Sequence, residues 1–194
     1  AQCAIEFLDG YQGYMHVDGY KAYELTEAKL VACLAHIRRK FVDAKKTQGK
    51  KGTGKVDVVL NLIGKLYGIE QRIKEKSSEE KFNIRQSHAK LIVKELHHWL
   101  IKHKDKIPPK SKLGEAISYS LNQFDKFQRY LEDGRLSIDN NRAERAIKPF
   151  VIGRKAWLFS NTCNGAHASA ILYSLVETAK ANGLVVHDYI SQCL

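Results

Sequence analysis

The sequence predicts an α/β fold in which a short parallel unit is joined to a much larger helical part. Residues 13–20, GYMHVDGY, are aromatic and β-branched and contain Asp-Gly, which indicates a strand whose last side chain is Asp18, followed by a turn. Residues 21–28 suit a short helix. Residues 29–35, KLVACLA, are almost all apolar, as in a strand buried on both faces. Strand, helix and strand in this order are typical of a parallel βαβ unit.

Three blocks with helical periodicity form the larger part of the predicted fold. Apolar residues recur every three or four positions in residues 56–75, 79–103 and 112–131, as in amphipathic helices that pack on one another. The breaks around these blocks are Ser77-Ser78, Pro108-Pro109 and Asp133-Gly134. None of the blocks contains a paired-carboxylate or nucleophile pattern, so their predicted role is to build a core.

The last part of the chain is predicted to contain extended chain and further helices. Residues 151–160 resemble an extended segment, and a glycine loop follows them. A helix is then predicted from about 168 to 182, with Gly183 as its cap, and a last short helix at 187–193.

The charge balance favours a polyanionic partner. The formal net charge is +11 and the pI is about 9.5, which points first to nucleic acid, with a merely soluble basic protein as the alternative. Residues 45–55, KKTQGKKGTGK, contain five lysines and three glycines and no acid. They fit either a loop that becomes ordered on an anion or a solvated linker.

The cysteines and the hydropathy exclude several classes of protein. Cys3, Cys33, Cys163 and Cys193 lie far apart and form no CxxC pair, so reduced thiols in a cytosolic protein are expected. Cys33 and His36 have CxxH spacing, but no second pair completes a zinc site, and a core cysteine beside a histidine is the interpretation. No stretch reaches the roughly 18 apolar residues of a membrane span. A cytoplasmic protein without a membrane partner is therefore predicted.

The stretch 137–149, SIDNNRAERAIKP, carries the strongest chemical signal. Asp139 or Asn140 can cap a helix there, and Pro149 is expected to end it. Positions three and four residues apart share a face of a helix. The residues predicted on one face are Asn140, Asn141, Glu144 and Lys148, with Arg142 and Arg145 at its sides.

One carboxylate among amides and cations suits a metal ligand beside a phosphate better than a general acid/base pair. Divalent metals that drive phosphoryl transfer prefer hard oxygen ligands, and a helix amino terminus attracts phosphate. Asp18 is the natural second ligand, because the functional crevice of an open α/β sheet lies outside the carboxyl ends of its strands. The alternatives are a salt bridge from Glu144 to Lys148 and a simple turn role for Asp18.

Five segments, taken together and in order, match one known family. They are FLDGYQGYMHVDGYKAY at 7–23, CLAHIRRKF at 33–41, LEDGRLSIDNNRAERAIKP at 131–149, GRKAWLFS at 153–160 and AILYSLVETAKANGL at 170–184. Each is weak alone, but the set spans nearly the whole chain and resembles the DDE transposases of bacterial insertion sequences, in particular the insertion-sequence sixty-six group. Leu34 departs from the tryptophan usual in that family, and leucine also suits a buried strand.

The resemblance implies a ribonuclease-H-like catalytic fold with a helical insertion, and two-metal cleavage and joining of DNA. Asp18 would be the second aspartate of the triad and Glu144 its glutamate, both holding Mg²⁺ or Mn²⁺. The implied domains are a partial sheet portion at 1–44, a basic loop and helical insertion at 45–136, and the glutamate-bearing and carboxy-terminal helices at 137–194. The partners would be insertion-sequence ends and target DNA, bound by a homo-oligomer in the bacterial cytoplasm in association with the nucleoid.

The same resemblance assigns the remaining polar residues to DNA or to support of the active site. His36, Arg38 and Arg39 match the family's AHxRRKF segment. The other residues expected at the DNA are Asn140, Asn141, Arg142, Arg145, Lys148, Arg154 and Lys155.

The first aspartate of the triad is expected upstream of this chain, together with the family's amino-terminal DNA-binding region. Asp9 lies in FLDGY, which resembles a helix end and a loop rather than a first strand. A sheet reduced to about two strands would expose an edge, and two carboxylates out of three would hold metal weakly. The chain is thus expected to be the carboxy-terminal part of a catalytic domain that does not cleave or join DNA alone. A DNA-binding transposase remnant without chemistry is the first alternative, and a structural helical scaffold is the second.

Overall fold

The computed structural model describes residues 2–47, 54–158 and 160–193. The chain divides into two compact units, Ala1–Asn140 and Asn141–Leu194. Among the described residues, no helix combines the length and the apolar character needed to cross a membrane.

The first unit combines a small parallel sheet with packed helices. Its elements are α1 (Gln2–Phe7), β1 (Tyr14–Val17), a 3-10 helix (Lys21–Leu25), β2 (Lys29–Ala32), α2 (Leu34–Thr47), α3 (Lys55–Arg72), α4 (Ser78–Ile84), a π-helical turn (Arg85–Ala89), α5 (Lys90–Lys104), α6 (Lys112–Gln128) and a second 3-10 helix (Arg129–Leu131). The turn that contains Asp9 follows α1, as the sequence predicted.

The order of the predicted βαβ unit and its parallel pairing are confirmed, but the helix predicted at 21–28 is a shorter 3-10 helix at Lys21–Leu25. β1 and β2 pair from Tyr14 opposite Lys29 to Val17 opposite Ala32. The second strand is shorter than predicted, because α2 begins at Leu34 and that buried side chain belongs to a helix. An unbroken apolar run is compatible with either structure, so its composition alone could not locate this boundary.

The predicted loop at 45–55 is wrong at its first residues, which continue α2 to Thr47. Lys45 forms an ion pair with Asp57 of α3 at 2.5 Å, and lysines in a last helical turn interact favourably with the helix dipole. Lys55 begins α3, and residues 48–53 lie outside the described residues.

The helical blocks predicted from periodicity are confirmed, and they build the main core of the first unit. Its fully buried side chains come from α2, α3, α5, α6 and the sheet, and include Leu34, Ile37, Phe41, Ile63, Leu66, Leu96, Leu100, Ile117, Phe127 and Val31. A smaller cluster of Val17, Ala28 and Leu30 covers the other face of the sheet. The sheet is therefore held between these two apolar clusters.

A buried arginine links the helices to the segment that leads out of this unit. Arg85 is only 2% exposed and donates to both carboxylate oxygens of Glu70, at 2.9 and 2.7 Å. It also donates to the backbone oxygens of Tyr130 and Asp133, and its guanidinium lies 5.3 Å from the centre of the Tyr130 ring. Periodicity did not predict this network, since Arg85 lies 15 to 48 residues from its partners in sequence.

Gly134 lies where the chain passes closely over the amino terminus of α4. A Cβ atom built there would lie 1.7 Å from the backbone oxygen of Ser78, so an alanine requires a shift of backbone. We expect Gly134→Ala to lower the free energy of unfolding by about 1–3 kcal/mol, as overpacking does. Gly64→Ala in α3 is the control. Its Cβ meets nothing within 4 Å, and the substitution should raise the free energy of unfolding by about 0.5–1 kcal/mol. Urea unfolding of the two variants measures both values, and equal effects would contradict the close approach.

The second unit consists of α7 (Asn141–Trp157), α8 (Cys163–Ala181) and α9 (Val186–Cys193) in its described residues. The prediction that Pro149 ends a helix is wrong, as is the extended segment at 151–160, because α7 continues through the proline to Trp157. Proline removes one backbone hydrogen bond, and an aromatic cluster of Phe150, Trp157 and Tyr173 packs α7 on α8. Tertiary packing of this kind overrides a local preference against helix.

The two later helices follow the predictions with one correction. α8 begins at Cys163 instead of about 168, because the hydroxyl of Thr162 accepts a hydrogen bond from the Gly165 N–H and caps the helix inside the predicted glycine loop. Gly183 is the predicted cap, with φ +68° and a hydrogen bond from the Leu184 N–H to the Ala179 oxygen. The last helix is confirmed.

Candidate active site

Asp18 lies directly after β1, at the carboxyl end of the strand, which ends at Val17, one residue earlier than predicted. Its Oδ1 accepts a hydrogen bond from the Tyr20 N–H at 3.0 Å, and its backbone oxygen accepts one from the Tyr119 hydroxyl at 3.0 Å. Gly19, between Asp18 and Tyr20, has φ +93°, and a Cβ atom there would lie 3.2 Å from the Tyr119 hydroxyl. Helix α6 therefore helps to set the turn that presents Asp18, which sequence reasoning had not anticipated.

The carboxylate of Asp18 suits a divalent metal ion. The side chain is exposed, and no lysine, arginine or histidine within the described ranges forms an ion pair with it. A carboxylate oxygen is a hard ligand, which Mg²⁺ and Mn²⁺ prefer. The turn hydrogen bond to Oδ1 orients the carboxylate, so that its other oxygen can be directed to a ligand.

The segment that precedes α7 is attached at the carboxyl end of β2. The Leu34 N–H donates to the Ile138 oxygen at 3.1 Å, and the Asn140 N–H donates to the buried Cys33 sulfur at 3.2 Å. Cys33 follows β2 directly, and His36 lies half-buried in the first turn of α2. The stretch at 138–140 thus lies at the carboxyl end of the sheet, where Asp18 also lies.

Asp139 is a half-buried carboxylate in this segment. The Tyr67 hydroxyl of α3 donates to its Oδ2 at 3.0 Å. Burial and the neighbouring Asp139 charge raise the pKa of Tyr67, so its hydroxyl stays protonated and remains a donor. The sequence indicated Asp139 only as a helix cap, and no local signal pointed to a partner 72 residues away.

The charge of Asp139 also acts on His16, which lies in the middle of β1. Burial lowers the pKa of His16, and the charge of Asp139 partly offsets this. The folded protein then binds fewer protons at His16 than the unfolded chain does below about pH 6.5, so stability falls as the pH drops through that value. We expect the free energy of unfolding to fall more between pH 7.5 and 5 for the wild type than for His16→Gln.

Urea unfolding across this pH range measures the difference. His98→Gln, which replaces an exposed histidine of α5, is the matched control and should keep the pH dependence of the wild type. A His16→Gln profile identical to that of the wild type would contradict the prediction.

An exposed cation of α2, Lys40, lies near the residues that hold the turn of Asp18. Arg38 and Arg39 are exposed, as is Lys40, whose Nζ lies 5.3 Å from the centre of the Tyr119 ring. Since the Tyr119 hydroxyl donates to the Asp18 backbone oxygen, Lys40 lies close to the candidate metal ligand. The arrangement can attract a phosphate backbone to the strand end.

Glu144 lies in the second unit, together with the predicted cations that do not belong to α2. Glu144 is half-buried in the first turn of α7, where a carboxylate is favoured by the helix dipole, and Asn141 begins that helix. Lys148 and Lys155 follow Glu144 by four and eleven positions, so they lie on the same face of α7 as Glu144. The exposed cations of α7 are Arg142, Arg145, Lys148, Arg154 and Lys155. The last two thus belong to the helix of Glu144 and not to an extended segment.

Comparison with known proteins confirms the resemblance. Residues 1–168 match the transposase IS66 family. The chain belongs to that family. No solved structure matches it, so the ribonuclease-H-like fold stays a prediction, and the fold described here is mostly helical with a two-stranded parallel sheet in its described residues.

The curated relatives come from Sinorhizobium fredii (strain NBRC 101917 / NGR234). The chain is 34% identical to its uncharacterized protein y4qI, in a match that covers 100% of this chain and 38% of that protein. It is 31% identical to uncharacterized protein y4jD, over 96% of this chain and 38% of that protein. The chain therefore spans less than two fifths of the length of these relatives.

Proposed function

We propose that the chain supplies two metal-binding carboxylates, Asp18 and Glu144, and a phosphate-binding surface to a DDE-type transposase. The reaction is metal-dependent cleavage of DNA strands and their transfer to a target. One observation carries the proposal: the turn of Asp18 and the segment leading into the helix of Glu144 are both held at the carboxyl end of one parallel sheet. Functional crevices of open α/β sheets lie at this end.

The residues that would hold Mg²⁺ or Mn²⁺ are Asp18 and Glu144. A bound divalent ion supplies stabilisation of the negative charge that develops on phosphoryl oxygens. The Tyr20 N–H and the Tyr119 hydroxyl orient Asp18 by fixing its turn, and Glu144 lies in the first turn of α7. Two carboxylates hold such an ion weakly, so this chain alone is expected to bind DNA without cleaving or joining it.

The exposed cations of α2, in the first unit, and those of α7, in the second, are each proposed to bind phosphates. A protein that neutralises phosphates releases counterions, so its affinity for DNA falls as salt rises. Arg38→Gln/Arg39→Gln is expected to make the slope of log affinity against log salt shallower by about 0.9 for each phosphate that the variant no longer neutralises. Fluorescence anisotropy with a labelled DNA duplex, at several salt concentrations, measures the slope.

Lys102→Gln/Lys110→Gln is the control for this experiment, because it removes the same charge from exposed lysines of α5 and the loop after it. That pair should leave the slope close to the wild-type value. Equal slopes for the two double variants would show that only net charge matters, and would remove α2 from the surface.

Metal dependence separates the proposal from its alternative, a DNA-binding remnant without chemistry. Mn²⁺ binding to this chain, followed by electron paramagnetic resonance, should weaken in Asp18→Asn and in Glu144→Gln. DNA binding should persist in both variants. Unchanged Mn²⁺ binding in both would favour the remnant, whose basic surface needs no metal.

A further inference from the structure

A groove with an apolar floor runs along α3 and the start of α5 in the first unit. Its volume is about 620 Å³. The apolar side chains that line it are Ile69, Ile73, Ile84, Leu91 and Ile92. Leu91 is 64% exposed, although its side chain is one of the larger apolar groups of α5. Apolar side chains gathered in an open groove mark a contact surface more often than scattered ones do.

Two glycines keep one side of the groove flat. Gly68 lines it, and Gly64 lies one turn earlier on the same face of α3. A Cβ atom at either position would meet nothing within 4 Å, so packing inside the described structure requires neither glycine. Each costs about 0.5–1 kcal/mol relative to alanine in the middle of a helix. A flat face of this kind lets the backbone of a docked helix approach closely.

The rim of the groove is basic. Lys65, Arg72, Lys76 and His88 line it, and no acidic side chain is among its described lining residues. Lys76 forms an exposed pair with Glu80 at 3.1 Å. Lys65 and Arg72 form no ion pair with an acid within the part of the chain that the structure describes, so their charges are available to an occupant.

The shape and the charge together favour one occupant. A second copy of this chain, with a net charge of +11, is disfavoured by repulsion at a basic rim. The phosphates of a DNA duplex could reach the rim but cannot cover the isoleucines of the floor. An amphipathic helix covers such a floor with apolar residues spaced three and four apart, and acidic residues on its edges meet the cations.

We propose that this groove binds an acidic amphipathic helix of a partner protein. The inference goes beyond the proposed function and does not depend on it. The apolar side chains of this partner helix would lie on Ile69, Ile73 and Leu91, and its carboxylates beside Lys65 and Arg72.

The test measures the binding of a labelled synthetic helix of about 18 residues, with leucines on one face and glutamates on the other. Fluorescence anisotropy should show saturable binding to the whole chain. Gly68→Leu fills the flat face and should weaken this binding at least about tenfold, a clear change in dissociation constant. Its melting temperature should not drop, because the new side chain meets open space and leucine favours helix.

Charge variants separate the groove from general attraction. Lys65→Glu/Arg72→Glu should weaken the affinity for the peptide at least about tenfold. Lys102→Glu/Lys110→Glu, away from the groove, should change that affinity by less than about twofold. A peptide with lysines in place of glutamates should not bind.

Three results would overturn the proposal. The first is absence of peptide binding. The second is equal weakening by both charge-reversed pairs. The third is a loss of DNA-duplex affinity in Gly68→Leu that matches the loss for the peptide, since the groove would then be part of the DNA surface.

Discussion

Asp18→Asn should reduce DNA strand cleavage and strand transfer by on the order of a thousandfold, measured in a transposition-competent protein that contains this sequence. A metal ligand contributes several kcal/mol of stabilisation to the developing charge, and each 1.4 kcal/mol or so changes the rate tenfold. The amide of asparagine keeps the size of the side chain and can still accept the Tyr20 N–H, so the turn should survive. Affinity for DNA should change by less than about threefold.

Glu144→Gln should have an effect of the same size, because both carboxylates are proposed to serve one reaction. Asp9→Asn is the matched control: it makes the same chemical change in the exposed turn after α1 and should leave the rate unaltered. Cleavage of a labelled insertion-sequence end, assayed with Mg²⁺ and with Mn²⁺, gives the rates. Near-normal cleavage by both Asp18→Asn and Glu144→Gln would reject the proposed metal ligands.

Arg85→Met should lower the free energy of unfolding of the chain by about 3–5 kcal/mol, the largest stability effect expected here. The substitution leaves Glu70, which is only 16% exposed, without its partner. It also removes the donors to the backbone oxygens of Tyr130 and Asp133, just before the segment that carries Asp139. Urea unfolding followed by circular dichroism measures the loss.

The double variant Glu70→Leu/Arg85→Met tests the cause of that loss. Replacing both charges by apolar groups removes the uncompensated carboxylate, so stability should recover in large part. Lys112→Met, which breaks an exposed pair with Glu115 at 3.0 Å, should cost less than about 1 kcal/mol. If Arg85→Met costs no more than Lys112→Met, the buried network does not stabilise the unit.

The sequence was a good guide where the local pattern and the tertiary environment favour the same structure. Apolar periodicity located α3, α5 and α6, because each helix buries one continuous stripe. Asp-Gly after a β-branched run located the end of β1 to within one residue, and with it Asp18, since glycine is the residue that adopts φ +93° without strain.

Local rules failed where distant packing decides. Pro149 predicted the end of a helix, but the aromatic contacts of Phe150 with Trp157 and Tyr173 carry α7 past it. The run after Lys29 predicted a strand to residue 35, but the Ile138 oxygen accepts the Leu34 N–H where α2 begins. Neither contact has a signature in the residues next to it.

The sequence by itself determined the family, the basic character, the helical blocks and the candidate carboxylates Asp18 and Glu144, because these depend on composition, spacing and motif order. Only the tertiary structure placed Asp139 and Asn140 at the carboxyl end of the sheet and the Tyr119 hydroxyl on the turn of Asp18. The physical reason is the range of the interactions. Hydrogen bonds between residues about a hundred positions apart depend on how the helices pack, which no short stretch of sequence specifies.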